Sequence, residues 1–354
     1  MKTKTIFTLA ALCMAVAANA TILRVSNVSG SSAPYSTIET ALEAAQDGDT
    51  IAVDGSPTVY SPLTIRKQVV LLGPGYWHTE NELISGVSID KASVGSLTIN
   101  AEGVVLCGLE LTAEVTINKA RVVVNRCLVR KGIKMDTGAD NCIIHQNYFT
   151  DTTRYSYLIK GANNGATPLV NYTQVTNNIF YGERYRYDND DQRDISYLNE
   201  CLISYNTWTH KMGRGNIHTQ YTCMDHISGS TIDFNIMPAN DHDGAVVTSG
   251  SSNVIENNYM WGDSPYGELT PNSDLGVKNA EATWLLDNPE LEGHGAFYGD
   301  SPYVISGIPA APVIQGLAMP TTVEKGKKMN VTIKVGTTIC GILKRVLPFI
   351  LLTG

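Results

Sequence analysis

The chain has 354 residues, of which 43% are hydrophobic and 17% charged, and its formal net charge is −8. This is a globular composition, long enough for one large core or two domains. The acidic balance argues against a polyanion such as DNA as the main ligand, although a local cationic cleft or a bound calcium ion would still hold an acidic glycan.

The N-terminus, residues 1–20, reads as a signal peptide. Lys2 and Lys4 form a basic n-region, Ile6 to Ala18 an apolar stretch, and Ala18-Asn19-Ala20 a small-residue cleavage site. The stretch is too short to span a bilayer, and Cys13, preceded by the bulky Leu12, is a poor lipidation site. The expected mature chain begins near Thr21, exported by a bacterium to the periplasm, the cell surface or the medium, with no transmembrane segment. Taking Lys2 and Lys4 from the 26 basic residues leaves 24 against 34 acidic ones, a net charge of −10.

A short amphipathic helix follows. Ser36-Thr-Ile-Glu39 has the form of a capping box, Ile38, Ala41, Leu42 and Ala45 share one face, and Gly48 suits the left-handed position after the helix. Asp47-Gly48-Asp49 leads straight into a β-type run.

From residue 120 onward one pattern recurs: an apolar or β-branched residue, two more, Asn, any residue, then a large or apolar one. The asparagines are Asn125, Asn147, Asn178, Asn206, Asn235 and Asn258, separated by 22, 31, 28, 29 and 23 residues. That period suits one turn of a parallel β-helix, in which short strands rise about 3.3 Å per residue and corners join them. Leucine-rich repeats have a similar period, but their LxxLxL signature is missing. An Asn at a fixed phase fits a stacked corner, tolerating left-handed backbone and bonding its amide to the Asn one coil away. Gly73 and Gly108 look like the same corner upstream. The expected fold is all-β: a single-stranded right-handed parallel β-helix over residues 21–308. The N-terminal helix would lie over its open end and cover the core and the unpaired edge strand.

The stretch Tyr35 to Gly75, with TIETALEAAQDGDTIAV, LTI and VVLLGPG, resembles the start of right-handed parallel β-helix proteins of the pectate-lyase-like superfamily. The likeness covers about residues 34–308. It implies the fold; the superfamily holds lyases, hydrolases, epimerases and non-enzymes, so fold alone does not assign an activity.

Six cysteines remain after the signal peptide: Cys107, Cys127, Cys142, Cys201, Cys223 and Cys340. In an oxidising compartment an even count invites disulfides. Cys142 and Cys201 share one phase two coils apart, however, and stacking places them about 10 Å from each other, beyond disulfide reach. Inert inward thiols are expected. Residues 309–354 form an appendage that reads like the first strands of a β-sandwich, too short for a whole one, and end in an apolar run.

In a stacked coil a site is a column. The segments after the repeat asparagines carry Asp151 and Arg154; Glu183, Arg184 and Arg186; His210, Lys211 and Arg214; Asp241, His242 and Asp243; and Asp263. Carboxylates, cations and histidines on one side suit calcium binding, acid–base pairs or clamping of uronate groups. They equally suit charged, solvated turns. Asn240-Asp241-His242-Asp243-Gly244 is the densest piece: Asp241 and Asp243 offer oxygen ligands for Ca²⁺, and Asp-His-Asp can orient a base. A second acidic run, Asp188 to Asp194, lacks the Gly and distal Glu of an EF-hand. Tyr155, Tyr157, Tyr181, Tyr185 and Tyr187 lie in or beside these loops and suit stacking on sugars.

Asp225-His226 and the run from Asp243 to Met260 are similar to a stretch of pectate lyases, but no Arg lies between Arg214 and Arg345 to abstract a proton in their manner. Gly293-His-Gly295 and Asp190-Asp191 match parts of the polygalacturonase set, whose N-T-D and R-I-K are missing. The expectation is an exported protein that binds polysaccharide along its loop face and, if it cuts, works as an acidic-glycan lyase or glycoside hydrolase. Asp241, His242, Asp243, His210, Lys211 and Arg214 would then be catalytic, and Arg184, Arg186, Tyr155, Tyr157 and Tyr185 would hold substrate. The rival is a non-catalytic surface or structural protein serving adhesion.

Overall fold

The computed structural model describes residues 20–78, 90–150, 157–181, 194–209, 223–238, 249–262 and 273–309, the single positions 247 and 266, and the backbone of 312–318 and 332–337. The chain forms an all-β parallel β-helix. Sheet A stacks ten strands in chain order, from Ile22–Val25 to Val254–Glu256. Sheet B stacks eight, from Ser93–Val94 to Tyr259–Trp261. Sheet C begins at Leu63–Ile65 and runs through Leu97–Ile99, Val115–Ile117, Ile133–Met135 and Ile159–Gly161 to Ile195–Asn199 and Met224–Ser228. Neighbouring strands within each sheet are parallel. One coil is a strand of A, a two-residue corner, a strand of B, a connection of variable length, a strand of C, and a corner back to A.

Alternation within three-residue strands builds the core. The central residues of sheet A, Ile51, Leu71, Leu106, Val124, Ile144, Val175, Ile203 and Ile232, stack as one fully buried column. Sheet B contributes Phe149, Phe180 and Trp208, whose rings stack with centroids 4.9 and 4.6 Å apart. The first helix, α1 (Ile38–Ala44), puts Ile38, Ala41, Leu42 and the following Ala45 into this core, against the first strands of sheets A and C. Its N-cap is Thr37, whose Oγ1 accepts the Thr40 amide at 3.2 Å, and not Ser36 of the expected capping box. Gly48 does adopt a left-handed φ of +94°, but in the turn beyond the helix. The C-terminal carbonyls of α1 are met by Lys67 Nζ, 2.7–2.8 Å from the Leu42, Glu43 and Ala45 oxygens.

The A–B corner is an amide ladder. Asn178 Oδ1 accepts the backbone N–H and Nδ2 of Asn147 at 2.9 and 3.0 Å, and Asn206, Asn235 and Asn258 repeat the arrangement. The second Nδ2 hydrogen goes back to a sheet A carbonyl of the preceding coil, as from Asn206 to Val175 O at 2.8 Å. Asn147, Asn178, Asn206 and Asn235 are wholly buried. Two sequence expectations need correction. The left-handed residue is the one before each Asn: Gly108, Arg126, Gln146, Asn177, Tyr205, Phe234 and Asn257 have φ between +52° and +67°. Asn125 is not a ladder member; it pairs with His145 at the end of the sheet A strand. Cys127 stands in the ladder position and donates its backbone N–H to Asn147 Oδ1 at 2.9 Å.

The C–A corner has a lesser ladder of mixed chemistry: Thr173 N donates to Cys201 Sγ, Cys201 N to Ser230 Oγ and Ser230 N to Asn253 Oδ1. Cys107, Cys127, Cys142, Cys201 and Cys223 are all buried, and burial pushes the Cys142 and Cys201 thiols up to about 12. Cys340 lies outside the described residues.

The stacked strands stop at Trp261, and the chain then turns back. A second helix that the sequence reading does not anticipate, α2 (Asp274–Leu285), buries Asp274, Val277 and Glu281. Residues 289–309 continue as a strap along the A–B corner. The outward side chains of sheet B, Leu128, Tyr148, Ile179 and Ile236, are covered by Val277, Leu291, Ala296 and Tyr303 in a second apolar cluster. The left-handed column holds the strap through its backbone. Arg126 Nη1 donates to Ile308 O at 2.7 Å, Gln146 Nε2 to Ser301 O at 3.1 Å, and Asn177 Nδ2 to Ala296 O and Tyr298 O at 3.1 and 2.8 Å. Gly295, at φ +81°, lies so close to Ile236 and Thr207 that a Cβ would overlap both. Asp274 accepts the Ser306 amide at 2.7 Å and the Tyr303 hydroxyl at 3.2 Å. Beyond the strap, Pro312–Ala318 and Thr332–Thr337 pair as an antiparallel hairpin.

Glu281 supplies a pH dependence. Burial against sheet B pushes its carboxyl up to about 8, while the Tyr266 hydroxyl donates to it. The unfolded chain releases this proton near pH 4.3, so the folded state holds more protons between the two values and loses stability as pH rises through 8. Thermal unfolding at pH 5 and pH 9 checks this: Glu281→Gln is expected to match wild type at pH 5 and to melt higher than wild type at pH 9.

Candidate functional site

Of the site residues expected from sequence, Tyr157 lies within the described structure. Tyr155, Arg184, Arg186, Tyr185, His210, Lys211, Arg214, Asp241, His242 and Asp243 lie outside the described residues. The chain segments that carry them start after successive sheet B strands, which end at Thr150, Tyr181, Trp208 and Pro238. The first three of those segments lead into sheet C strands, and the last reaches Val247, which bridges to Met224 of sheet C.

Other sequence candidates have structural roles. Tyr181 is buried and stacks on Tyr148 at 6.0 Å beneath the strap cluster, so it is not a free sugar platform. Asp194, the last residue of the acidic run, is buried and accepts Trp208 Nε1–H at 2.8 Å. Its carbonyl accepts the amides of Leu158 and Ile159. The Gly293-His-Gly295 match is a turn of the strap, with both glycines at positive φ. Among the described residues no group of three or more His, Cys, Asp and Glu is arranged to hold a metal, and the proposed calcium ligands Asp241 and Asp243 lie outside them.

His145 and Ser301 have the outline of a base and a nucleophile. His145 Nε2 is 3.2 Å from Ser301 Oγ, and Nδ1 is 2.8 Å from Thr176 Oγ1. Burial, however, pushes the imidazole down to about 3. A base that weak does not take a serine proton near neutrality. With Gln146 donating to the Ser301 carbonyl, the pair fastens the strap to sheet A.

The strap covers the outside of sheet B. Sheet C carries a row of outward side chains instead. Successive registers align Thr64, Thr98, Thr116, Lys134, Lys160, Ser196 and Asp225, one per coil. The inward neighbours Ile65, Ile99, Ile117, Ile133, Ile159 and Ile195 are buried, so strand alternation alone sends this row outward. Lys160 Nζ lies 4.4 Å from the centre of the Tyr157 ring, a cation–π contact that joins the one described candidate to the row. At the other end, Asp225 Oδ2 is 2.8 Å from His226 Nδ1, an ion-pair distance without hydrogen-bond alignment. The imidazole stacks on Tyr197 at 4.5 Å and 23°. Both ring-bearing residues have left-handed φ, +60° and +52°, so the two rings sit on matching bulges of adjacent strands. Ser196 is buried, and its Oγ and Asp225 Oδ1 have no hydrogen-bond partner.

Sequence reasoning singled out Asp225-His226 but not Lys134, Lys160 or Ser196. The signal was present in GIKMD, YLIKGA and DISYL, where an outward polar residue sits inside an apolar pair. It is found only by aligning coils on sheet C instead of on the asparagines. No protein-family model matches the chain, and no curated protein does either. Among the described residues no helix is long and apolar enough to cross a membrane.

If this row serves binding and not folding, its members are dispensable to stability. Lys160→Ala is expected to change unfolding free energy by less than about 0.5 kcal/mol, as surface substitutions do. Asp194→Ala, which leaves the buried Trp208 N–H without an acceptor, is expected to cost about 1–3 kcal/mol. Urea denaturation of both variants checks the contrast.

Proposed function

We propose that this chain is an exported β-helix protein of the pectate-lyase-like superfamily that binds an acidic polysaccharide on the outer face of sheet C. One observation carries the reading: Lys134 and Lys160 occupy adjacent coils of that face, with the Tyr157 ring against Lys160. Ammonium groups one coil apart suit successive carboxylates of a glycan, and an aromatic edge suits its sugar faces. Arg184, Arg186, Tyr155 and Tyr185 remain the proposed further substrate contacts. Cleavage, by elimination or hydrolysis, is assigned here to Asp241, His242 and Asp243 with His210, Lys211 and Arg214. Asp241 and Asp243 would hold Ca²⁺ or serve as acid and base.

The rival reading, adhesion without catalysis, is favoured by the row itself, in which Asp225 is the single carboxylate and no facing carboxylate pair is formed. Retention of the purified protein on immobilised acidic and neutral polysaccharides tests binding, and chain shortening with and without a chelator tests cleavage. Lys160→Ala is expected to weaken retention on acidic chains about tenfold, the worth of one charge-assisted contact. Product that disappears in Asp243→Ala would make the protein an enzyme; binding without product would make it an adhesin. No retention on any acidic chain would overturn the proposal.

A further inference from the structure

We infer that the C-terminal end of the solenoid is a self-association surface, on which a second copy of this chain stacks tail to tail about a two-fold axis at Ile255. The inference is independent of glycan binding.

The two ends of the β-helix are finished differently. Over the first coils α1 covers the core. In the last coil the inward apolar residues come partly into solvent. Ile255 is 44% exposed, although Ile232, its register partner one coil back, is fully buried. Met260 and Val247 are half-buried, although Met237 and Met224, the residues they stack on, are 1% and 0% exposed.

The edge is unpaired as well. Val254–Glu256 is the last strand of sheet A, and Tyr259–Trp261 the last of sheet B. Amides along a parallel strand alternate between its two neighbours, and the Val254 N–H donates back to Ser230 O at 2.9 Å. The Ile255 N–H and C=O therefore point out of the open end. Natural edges carry charges, Pro or a covering element against pairing. Here Glu256 is the single charged residue among the described positions of the coil.

The chain's own later elements lead away from this end. Tyr266, α2 and Leu291 pack on the outside of sheet B. The strap then runs back toward the first coils, where Pro309 meets Gly108. Six strand steps in sheet A separate that point from the last strand, a distance of about 29 Å at about 4.8 Å per step.

The end is complementary to itself. An antiparallel pairing centred on Ile255 lets the two Ile255 residues exchange both of their outward N–H···O=C bonds. It sets Glu256 opposite Val254 of the second copy, so the two Glu256 carboxylates do not face each other, and it lays one open core against the other. Because α1 closes the first coils, head-to-tail stacking finds no matching surface, and the isologous contact closes at two copies.

Sedimentation velocity of the purified protein from about 1 to about 100 µM, the range for a small interface, tests this. A monomer–dimer equilibrium is expected. Ile255→Glu and Ile255→Lys each set like charges against each other across the axis and are expected to weaken it at least about tenfold. An equimolar mixture of the two variants is expected to restore dimers, as only a contact of residue 255 with itself does. Val254→Lys, at an outward position 51% exposed, is expected to tighten the dimer about threefold by facing Glu256 of the second copy, and Val254→Glu to weaken it. Val59→Glu, an exposed position of the first coils, is expected to change nothing. Melting temperatures confirm that each variant is folded. A protein that stays monomeric throughout the range, an Ile255 mixture that stays monomeric, or a dimer indifferent to substitution at 254 and 255 would overturn the inference.

Discussion

A buried primary amide must place two hydrogens and one carbonyl oxygen, and the A–B corner does this without a water or a charge. Each of Asn178, Asn206 and Asn235 receives the backbone N–H and one amide hydrogen of the preceding coil on its Oδ1, and sends its own amide hydrogens forward to the next Asn and back to a sheet A carbonyl. A two-residue corner turns the chain sharply, and the left-handed residue before each Asn makes that turn possible. The corner therefore fixes both the direction of the chain and the coil spacing. Everything stacked on it, the sheet A column and the Phe149–Phe180–Trp208 file included, inherits that register.

The corner also decides which faces are free. Left-handed residues point their side chains away from the core at this edge, and Arg126, Gln146 and Asn177 use that direction to hold the strap by its carbonyls. The strap and α2 then bury the outside of sheet B. Sheet C lies beyond the opposite ends of the sheet B strands, where coil length varies and where the charged connections begin. Its outward row is a consequence of strand alternation, but its composition is not dictated by packing. Thr64, Thr98 and Thr116 are ordinary β-formers on a half-exposed sheet, whereas Lys134, Lys160, Ser196 and Asp225 bring charge and unmet hydrogen bonds to the same position. The change in chemistry along one structural column is the reason to read that half of the face as a site.

The solenoid was legible because its repeat is a hydrogen-bonded structure that tolerates few side chains. Asn147, Asn178, Asn206, Asn235 and Asn258 could be aligned by eye. Cys127 could not, because the ladder starts with a backbone donor that any residue supplies, and Asn125 stood two positions away as a decoy. α2 was missed because its packed face interleaves the buried carboxyl groups of Asp274 and Glu281 with Val277, Ala280 and Trp284, which dilutes the apolar periodicity. The site was half legible. Asp225-His226 stood out as a dipeptide, but Lys134, Lys160 and Ser196 lie far apart in sequence and are joined only by the registers of sheet C, which the variable B-to-C connections conceal.

Native-state hydrogen exchange of the backbone amides of Asn147, Asn178, Asn206 and Asn235 tests most directly whether the ladder is the constraint on which the solenoid depends. These amides are expected to exchange only through global unfolding, with the same opening free energy as the core residues Ile144, Val175 and Ile203 and the same dependence on denaturant. Exchange by local opening at markedly lower free energy, with the sheet A amides still protected, would show that the strands hold without the corner and would contradict this account.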